Sequence, residues 1–404
     1  MRETRAIPTL RTDVGGYLFL VVAALISLAA LLVARTRVRL LERLVAYCLF
    51  FTTPLLTSLG VVGVLTGMSE NPTAPSPLFG ISFYSLYLAL HLHANAEGMR
   101  QHPAQFLLQA INPTYFFTGP VPFFTWKNDL FAKGWRRAKV VHNDLLHGIL
   151  FAVVLAPSLT PYLTLRSSVN AIDILSFGIA YEVYVYLNFC GYSTMAWAAL
   201  RLLGIRVPRN FRQPFGAASV VEYWRRWHVS LGGVLKVLFF AKIRPAYGVV
   251  PAVTVVFLAS ALWHGVTVNF VVWGLFHAAM WLVAYRLRKW RFFNFLLLAF
   301  TIVIGRIIFA EADQGVLFEK ARALTTASRW QFPSGATFLP PSWRERINLA
   351  VCVILLATEV LLGRVRPQVQ QYQYLKGRLG SALVAGYLCL FLADPGGGPV
   401  YGDR

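Results

Sequence analysis

Residues 15–34 read GGYLFLVVAALISLAALLVA, an uncharged apolar run that decides the class of fold to which this chain belongs. An α-helix rises about 1.5 Å per residue, so a run of this length crosses a hydrocarbon core of about 30 Å. Arg2, Arg5 and Arg11 precede the run, as in a signal peptide, but no small-residue cleavage motif ends it. We therefore expect a retained membrane anchor.

The composition extends this interpretation to the whole chain. Of 404 residues, 57% are apolar and 14% are charged, whereas soluble domains carry about 25% charged residues. Lys and Arg number 38 and Asp and Glu number 17, which gives a formal net charge of +21. In a chain this apolar, the excess is typical of cytoplasmic loops, which retain Lys and Arg, and not of a nucleic-acid partner. The composition excludes a soluble enzyme, a disordered chain, collagen and a disulfide scaffold.

Further apolar runs predict an all-α polytopic membrane protein with about eleven transmembrane helices. The predicted spans are 15–34, 44–67, 78–94, 145–165, 170–187, 189–204, 246–264, 266–285, 292–310, 347–363 and 380–393. Two other stretches, 104–124 and 229–241, are broken by Pro or Gly or too short to cross, which favours re-entrant or broken helices. The polar stretch 311–346 is predicted to be one loop. Residues 1–404 are therefore expected to form a single integral membrane domain.

The placement of basic residues predicts the orientation. The link after the first span carries Arg35, Arg37, Arg39 and Arg43 against one Glu, and the link at 68–77 carries no basic residue. The positive-inside rule places the first of these links in the cytoplasm. The densest basic region, 201–244, is assigned to the same side. We expect a multi-pass protein of the cytoplasmic (inner) membrane, surrounded by membrane lipid.

Two histidines beside tryptophans are the candidate catalytic groups. His264 lies in Ala261-Leu-Trp-His-Gly265, between two apolar runs, and His228 closes Glu222-Tyr-Trp-Arg-Arg-Trp-His228. A lone His at a helix end is more often structural, and Arg with Trp is also what a membrane interface supplies. As a pair next to broken helices, however, the two imidazoles are suited to hold a hydroxyl and an acyl donor. An imidazole with a pKa of about 6.5 is a suitable general base for a sugar hydroxyl.

Other polar residues point less clearly to a site. His91, His93 and His102 lack the Asp, Glu or Cys partners of a metal site, so no metal is predicted. Asp173, Glu182 and Glu359 lie in or near spans, where each either lines a cavity or pairs with a buried base. Phosphate-binding, serine-hydrolase and zinc-peptidase motifs are absent from the sequence.

Several motifs occur in an order that resembles one family. The runs are Gly80-Ile-Ser-Phe-Tyr84, Gly119-Pro-Val121, Asn188-Phe-Cys-Gly-Tyr-Ser-Thr-Met195, Leu203-Gly-Ile-Arg-Val-Pro-Arg-Asn-Phe211, Glu222-Tyr-Trp-Arg-Arg-Trp-His-Val-Ser-Leu231, Leu262-Trp-His-Gly265, Asn269-Phe and Trp273-Gly-Leu-Phe-His277. Together they resemble the membrane-bound O-acyltransferases, in the branch of bacterial alginate O-acetyltransferases and teichoic-acid D-alanyl transferases. The resemblance covers a motif-bearing core of about 78–280.

The resemblance implies about eleven spans around a central chamber and acyl transfer from a thioester to a hydroxyl. His264 matches the principal catalytic histidine and His228 the second conserved histidine. Residues expected to contact the donor or the acceptor are Trp224, Arg225, Arg226, Trp227, Trp263, Asn269, Asn188, Tyr192 and Ser193. Acyl-CoA or the phosphopantetheine thioester of an acyl carrier protein is the implied donor substrate, with no tightly bound cofactor. An extracytoplasmic esterase-like protein is a further implied partner.

The chain also departs from the family's pattern. Asn188 stands where relatives commonly carry Asp, and Leu231-Gly-Gly-Val-Leu-Lys236 replaces an Arg-Asp-Tyr step. His91-Leu-His-Ala-Asn-Ala-Glu97 replaces the usual polar stretch after the Gly80 motif. Two other functions therefore stay open beside acyl transfer: a transporter or flippase, and a catalytically inactive scaffold that recruits partners through its basic loops. The acyl group is also open between acetyl, D-alanyl and longer chains.

Overall fold

A computed structural model describes residues 14–58, 79–110, 120–121, 134–205, 207–331, 342–365 and 378–392, and every regular element in these ranges is helical. The first helices are α1 (Val14–Arg35), α2 (Arg39–Ser58), α3 (Phe79–Gln101), α4 (Pro103–Ala110), α5 (Gly134–Ile149) and α6 (Thr160–Leu163). The central ones are α7 (Ala171–Leu202), α8 (Val220–Arg226), α9 (Val229–Leu235), α10 (Ala241–Tyr247), α11 (Val249–His264) and α12 (Val268–Arg286). The last are α13 (Arg291–Ala310), α14 (Gln314–Thr325), α15 (Trp343–Val365) and α16 (Arg378–Leu392). Two π-helical segments, Leu150–Leu155 and Lys236–Phe240, continue α5 and join α9 to α10.

The described residues include five helical segments that are long and apolar enough to cross a membrane. These segments are Val141–Ser167, Ala171–Leu202, Val268–Arg286, Arg291–Ala310 and Trp343–Gly363, and three shorter apolar helices lie at Ala23–Arg35, Val249–His264 and Gly380–Cys389. The all-α, multi-pass membrane architecture predicted from hydropathy is confirmed. The division of 170–204 into two spans was wrong, because α7 runs through it as one helix of 32 residues.

Glycine lets α7 pass its neighbour at close range. The helix begins at Asn170, whose side chain accepts a hydrogen bond from the backbone N–H of Ile172 at 2.8 Å. Further along, a Cβ built on Gly191 would lie 2.7 Å from both the backbone nitrogen of Ala152 and the carbonyl oxygen of Gly148. Gly191 is therefore a contact point between two helices, and not the interruption that a glycine in an apolar run suggests.

Replacing Gly191 with alanine is expected to destabilise the protein by about 1–3 kcal/mol, because the added methyl group meets backbone atoms that cannot rotate away. Thermal unfolding in detergent, followed by tryptophan fluorescence, measures the effect. Gly386 in α16 is the matched control, since a Cβ there has no other atom within 4 Å. Gly386→Ala is expected to be neutral or slightly stabilising. Equal melting temperatures for the two variants would contradict the close crossing.

The stretch 311–346 is not the single loop that its polarity predicts, because α14 lies within it. Lys320 of α14 is only 1% exposed, and its Nζ contacts the Glu311 carboxylate at 2.7 Å. Arg166 adds a weaker contact to Glu311 at 3.5 Å. Burial acts to raise the pKa of Glu311, but the hydrogen bond and charge of Lys320, with those of Arg166, outweigh it and lower this pKa below its ordinary value. A buried lysine thus anchors the helix to the end of α13.

The candidate histidines lie where five helices pack together. α11 and α12 pack against each other as a hairpin, and α13 packs against both α12 and α7. The short helix α8 packs against α12 and α13. A break separates α8 from α9 at Trp227 and His228. It lies just before the stretch 229–241 that the sequence predicts to be re-entrant or broken, and within that stretch α9, the π-helical segment and α10 follow one another without a gap. The predicted element at 104–124 is described only as α4 and residues 120–121, and its other residues lie outside the described ranges.

Candidate active site

His264 is the last residue of α11, and its imidazole lies among aromatic rings. The ring centroids of Trp263, Phe309, Trp273 and Phe270 lie 4.8, 4.9, 5.8 and 6.0 Å from that of His264. The residue is nevertheless exposed. A histidine that has rings on several sides and is still exposed can be reached from outside the ring cluster. His264 can therefore meet a reactant from that side.

His228 lies near the same tryptophan, Trp263. The ring centroid of Trp263 is 6.4 Å from that of His228, and Phe83 and Phe189 contact the same imidazole at 5.9 and 4.8 Å. His228 is only 6% exposed, and neither of its ring nitrogens has a hydrogen-bond partner in another described residue. Buried polar atoms are normally paired, so two unpaired nitrogens mark a place where a ligand or water belongs. Trp263 therefore lies next to both of the histidines that the sequence identifies as candidates.

The backbone holds His228 in an unusual conformation. Its φ is +43° and its ψ +55°, in the left-handed region that non-glycine residues rarely adopt. Asn210 secures the next two residues: its carbonyl oxygen accepts from the Val229 N–H at 2.9 Å, and its side chain accepts from the Ser230 hydroxyl at 2.6 Å. Strained conformations that the surroundings enforce cluster at functional sites, so the outlier points to this histidine as functional.

An ion pair next to the aromatic rings around the two histidines is not predicted by the sequence motifs. The Arg306 Nε donates to the Glu182 carboxylate at 2.6 Å, and the Tyr223 hydroxyl donates to the other carboxylate oxygen at 2.6 Å. The Arg306 guanidinium also lies 5.4 Å from the ring of Phe309, which contacts His264. Of the two roles left open for Glu182, the structure shows the pairing with a buried base. The signal was available, because Arg306 is the one charged residue within the predicted span 292–310.

The two arginines of the Trp-Arg-Arg-Trp run lie in different environments. Arg225 is exposed, whereas Arg226 is 8% exposed and donates to the Glu222 carboxylate and to the carbonyl oxygen of Gln213. Arg226 therefore fastens the turn before α8 to α8 itself. A role in donor binding stays a prediction for both residues, and of the two only Arg225 has an accessible guanidinium.

The neighbouring tryptophans line the same aromatic cluster. Trp224 packs against Trp273 and His277 at 5.8 and 5.0 Å, and Trp227 packs against Tyr223 at 5.4 Å. The indole N–H groups of Trp224 and Trp263 are buried and have no hydrogen-bond partner among the described residues, and the same holds for Nδ1 of His277. These donors and His228 give the cluster polar atoms that a hydroxylated or carbonyl-bearing ligand can use.

His277 belongs to this cluster although it was singled out only as part of a motif. It is 3% exposed and packs against Trp273 at 4.7 Å. α13 comes so close that a Cβ on Gly305 would collide with the His277 ring. His277 thus connects the α11–α12 hairpin to the helix that carries Arg306.

The remaining predicted contact residues lie at the edges of the cluster or on α7. The Asn269 side chain donates to the carbonyl oxygen of Phe309 at 3.2 Å and accepts from the Thr267 hydroxyl at 2.5 Å, so it ties the start of α12 to the end of α13. On α7, Asn188 is half-buried and Tyr192 exposed, and the buried Ser193 hydroxyl donates to the Cys190 carbonyl at 3.3 Å. Direct contact of these four residues with a substrate stays a prediction.

Comparison with known proteins supports the family resemblance for the middle of the chain. Residues 150–310 match the profile of MBOAT, the membrane-bound O-acyltransferase family. A probable alginate O-acetylase of Pseudomonas syringae pv. tomato is 32% identical over 46% of this chain and 37% of its own length. A peptidoglycan O-acetyltransferase of Helicobacter pylori is 31% identical over 28% of this chain and 22% of its own. A teichoic acid D-alanyltransferase of Bacillus subtilis is 22% identical over 39% of this chain and 45% of its own.

The matched region holds most of the cluster. It includes both histidines, the Glu182–Arg306 pair and the tryptophans, whereas the alignments cover less than half of each of these three relatives. The motif-bearing core of 78–280 begins before the matched region and ends before it does, and its bounds stay a prediction. The family resemblance is confirmed over residues 150–310, which match the model of the membrane-bound O-acyltransferase family.

Proposed function

We propose that this protein is a membrane-bound O-acyltransferase that transfers an acyl group from a thioester donor to a hydroxyl group. One observation carries the proposal: an accessible imidazole, His264, shares Trp263 with a second imidazole, His228, whose two nitrogens have no partner in another described residue. A transport cavity does not need this pair, whereas acyl transfer needs a base and a group that orients the reactants.

The reaction assigns one role to each histidine. His264 takes the proton of the acceptor hydroxyl as its oxygen attacks the thioester carbonyl carbon. A C–O bond forms and the C–S bond breaks, and the imidazolium returns the proton to the departing thiolate. His228 donates or accepts a hydrogen bond that orients the donor or the acceptor. Because a thioester is already activated, positioning together with one base suffices for the reaction.

The donor is proposed to arrive from the cytoplasm as acyl-CoA or as an acyl carrier protein. Exposed basic residues such as Arg225, Lys242 and Arg244 attract the phosphates of either donor. The three relatives are named for alginate, peptidoglycan and teichoic acid, which are all extracytoplasmic polymers rich in hydroxyl groups. We therefore place this protein in the inner membrane, with a polysaccharide or lipid-linked acceptor on the outer side. An esterase-like protein on that side is a proposed partner.

The direct test is acyl transfer by the purified full chain in proteoliposomes. Labelled acetyl-CoA and a D-alanyl carrier protein are supplied separately, with envelope oligosaccharides as acceptors, and mass spectrometry detects the new ester. We expect an ester that requires both the protein and one of the donors and that hydroxylamine removes. Which donor works also decides between acetyl and D-alanyl transfer.

The same preparation tests the other two functions. A transporter or flippase moves the oligosaccharide across the membrane without any donor and forms no ester. An inactive scaffold forms no ester and moves nothing, but loses its partners when Arg225 is changed to Glu. Either result would overturn the proposed enzyme.

A further inference from the structure

A second polar cluster lies away from the catalytic histidines, at the predicted cytoplasmic end of the protein. Tyr47 of α2 joins two elements: its hydroxyl donates to the Leu238 carbonyl at 2.8 Å, and its ring centroid lies 5.7 Å from that of His93 on α3. Arg43 lies one turn before Tyr47 and Lys242 about one turn after Leu238. The two contacts of Tyr47 bring α2, α3 and the segment before α10 together, and the charges of both basic residues act on the His93 imidazole there.

The basic residues of this cluster keep their charges unpaired. Arg43 and Lys242 are exposed, and neither forms an ion pair with a carboxylate among the described residues. The adjacent Glu42 contacts Arg100 at 2.8 Å, and Glu97, on the helix of His93, contacts Arg100 at 2.6 Å. Because Arg100 engages both carboxylates, neither carboxylate is left to pair with Arg43.

Buried polar atoms on α3, at His93 and two residues after it, also lack partners. Nδ1 of His93 and Nδ2 of Asn95 are buried without a hydrogen-bond partner among the described residues. They lie at a kink in α3, where Asn95 has φ −147° and ψ +33°. Both residues belong to the stretch His91–Glu97, which departs from the family's pattern. An amide N–H₂ group and an imidazole nitrogen beside two cations are hydrogen-bond donors suited to an anion.

An apolar surface runs from the same place along α2. Leu40 is 69% exposed and Leu44 54% exposed, and Cys48, one turn further, is exposed as well. This spacing puts the three side chains on one face of the helix. Such an arrangement suits a lipid, because basic residues at the membrane surface can bind its phosphate while the exposed apolar face of α2 packs against its acyl chain.

We propose that Arg43, Lys242 and His93 form a binding site for an anionic phosphate group at the cytoplasmic surface. The phosphate belongs either to an anionic phospholipid or to a soluble phosphate ester such as coenzyme A. The site is separate from the aromatic cluster around His264. If the phosphate is that of coenzyme A, the inference rests on the proposed function; if it is that of a phospholipid, it does not, and in both cases binding is measured without acyl transfer.

Binding by the purified full chain in detergent tests the site. The thermal shift is titrated with short-chain phosphatidylglycerol, with its zwitterionic phosphatidylcholine counterpart, and with coenzyme A against pantetheine. We expect phosphatidylglycerol or coenzyme A to stabilise the wild type. We expect Arg43→Gln/Lys242→Gln to bind the active probe with an affinity at least about tenfold lower. The probe that acts identifies the source of the phosphate.

The control variant removes one arginine and one lysine charge at positions outside the proposed site. Arg35→Gln/Lys236→Gln changes exposed basic residues on α1 and on the π-helical segment before α10, and it should bind within about twofold of the wild type. His93→Gln, which keeps a polar side chain without a basic ring, should weaken binding while leaving the unliganded melting temperature unchanged. No stabilisation by either anionic probe, or an equal loss in the control variant, would overturn the proposed site.

Discussion

Replacing His264 with alanine is expected to lower the rate of acyl transfer by about 10²–10⁴-fold, the usual contribution of a positioned general base. The physical reason is that His264 is the accessible imidazole of the pair, at the end of α11, whereas His228 is enclosed. Transfer of a labelled acyl group to the acceptor measures the rate, and the yield and melting temperature of the purified variant establish that it folds. A variant that folds and keeps the wild-type rate would exclude His264 as the base.

Chemical rescue separates the roles of the two histidines. Because His264 is open to a reactant, His264→Ala leaves a space that added imidazole can enter, and part of the rate should return. His228→Ala should be rescued much less, since its role is to orient a reactant and not to take the proton, and Phe83, Phe189 and Trp263 pack against its ring. His228→Asn controls for the backbone, because Asn tolerates the left-handed conformation better than Ala. His102→Ala, at an exposed histidine, should transfer at the wild-type rate.

The sequence predicts the helices well where an apolar run is about as long as one membrane span. The runs 266–285, 292–310 and 347–363 correspond to Val268–Arg286, Arg291–Ala310 and Trp343–Gly363. It predicts them poorly where a residue's usual preference is overridden by packing. Gly191 sits inside a long helix because another helix needs the space, and 311–346 contains a helix because Lys320 finds a buried partner. Neither contact can be identified without knowing which helices are neighbours.

The same limit applies to the candidate site. Motif order located His264 and His228, and the structure places both against Trp263. The motifs did not distinguish Arg226, which pairs with Glu222, from the exposed Arg225, because two adjacent arginines look equivalent in sequence. They also offered no partner for Glu182, since Arg306 lies 124 positions away. Pairings between residues so far apart follow from the packing of α7 against α13.

Replacing Arg306 with methionine is expected to destabilise the protein by about 3–5 kcal/mol, because the Glu182 carboxylate is left buried without its cation. The Arg306 side chain is 11% exposed and that of Glu182 is 4% exposed, so water compensates little. Glu182→Gln alone should cost a similar amount. The double variant should recover most of the loss, because it buries no charge and the carbonyl oxygen of the new amide still accepts from the Tyr223 hydroxyl. Thermal unfolding of the four proteins gives the coupling free energy.

The transfer rate of the double variant then shows whether the pair does more than stabilise the fold. Arg306 lies over Phe309, which contacts His264, so we expect a lower maximal rate even when stability returns. The buried pair Lys320–Glu311 is the matched control, since the described contacts of these two side chains are with each other, with Arg166 and with the Phe177 ring, and not with either histidine. Lys320→Met/Glu311→Gln should recover both stability and rate. If the Arg306 and Glu182 double variant also transfers at the wild-type rate, the pair stabilises the helices and does not position Phe309 against His264.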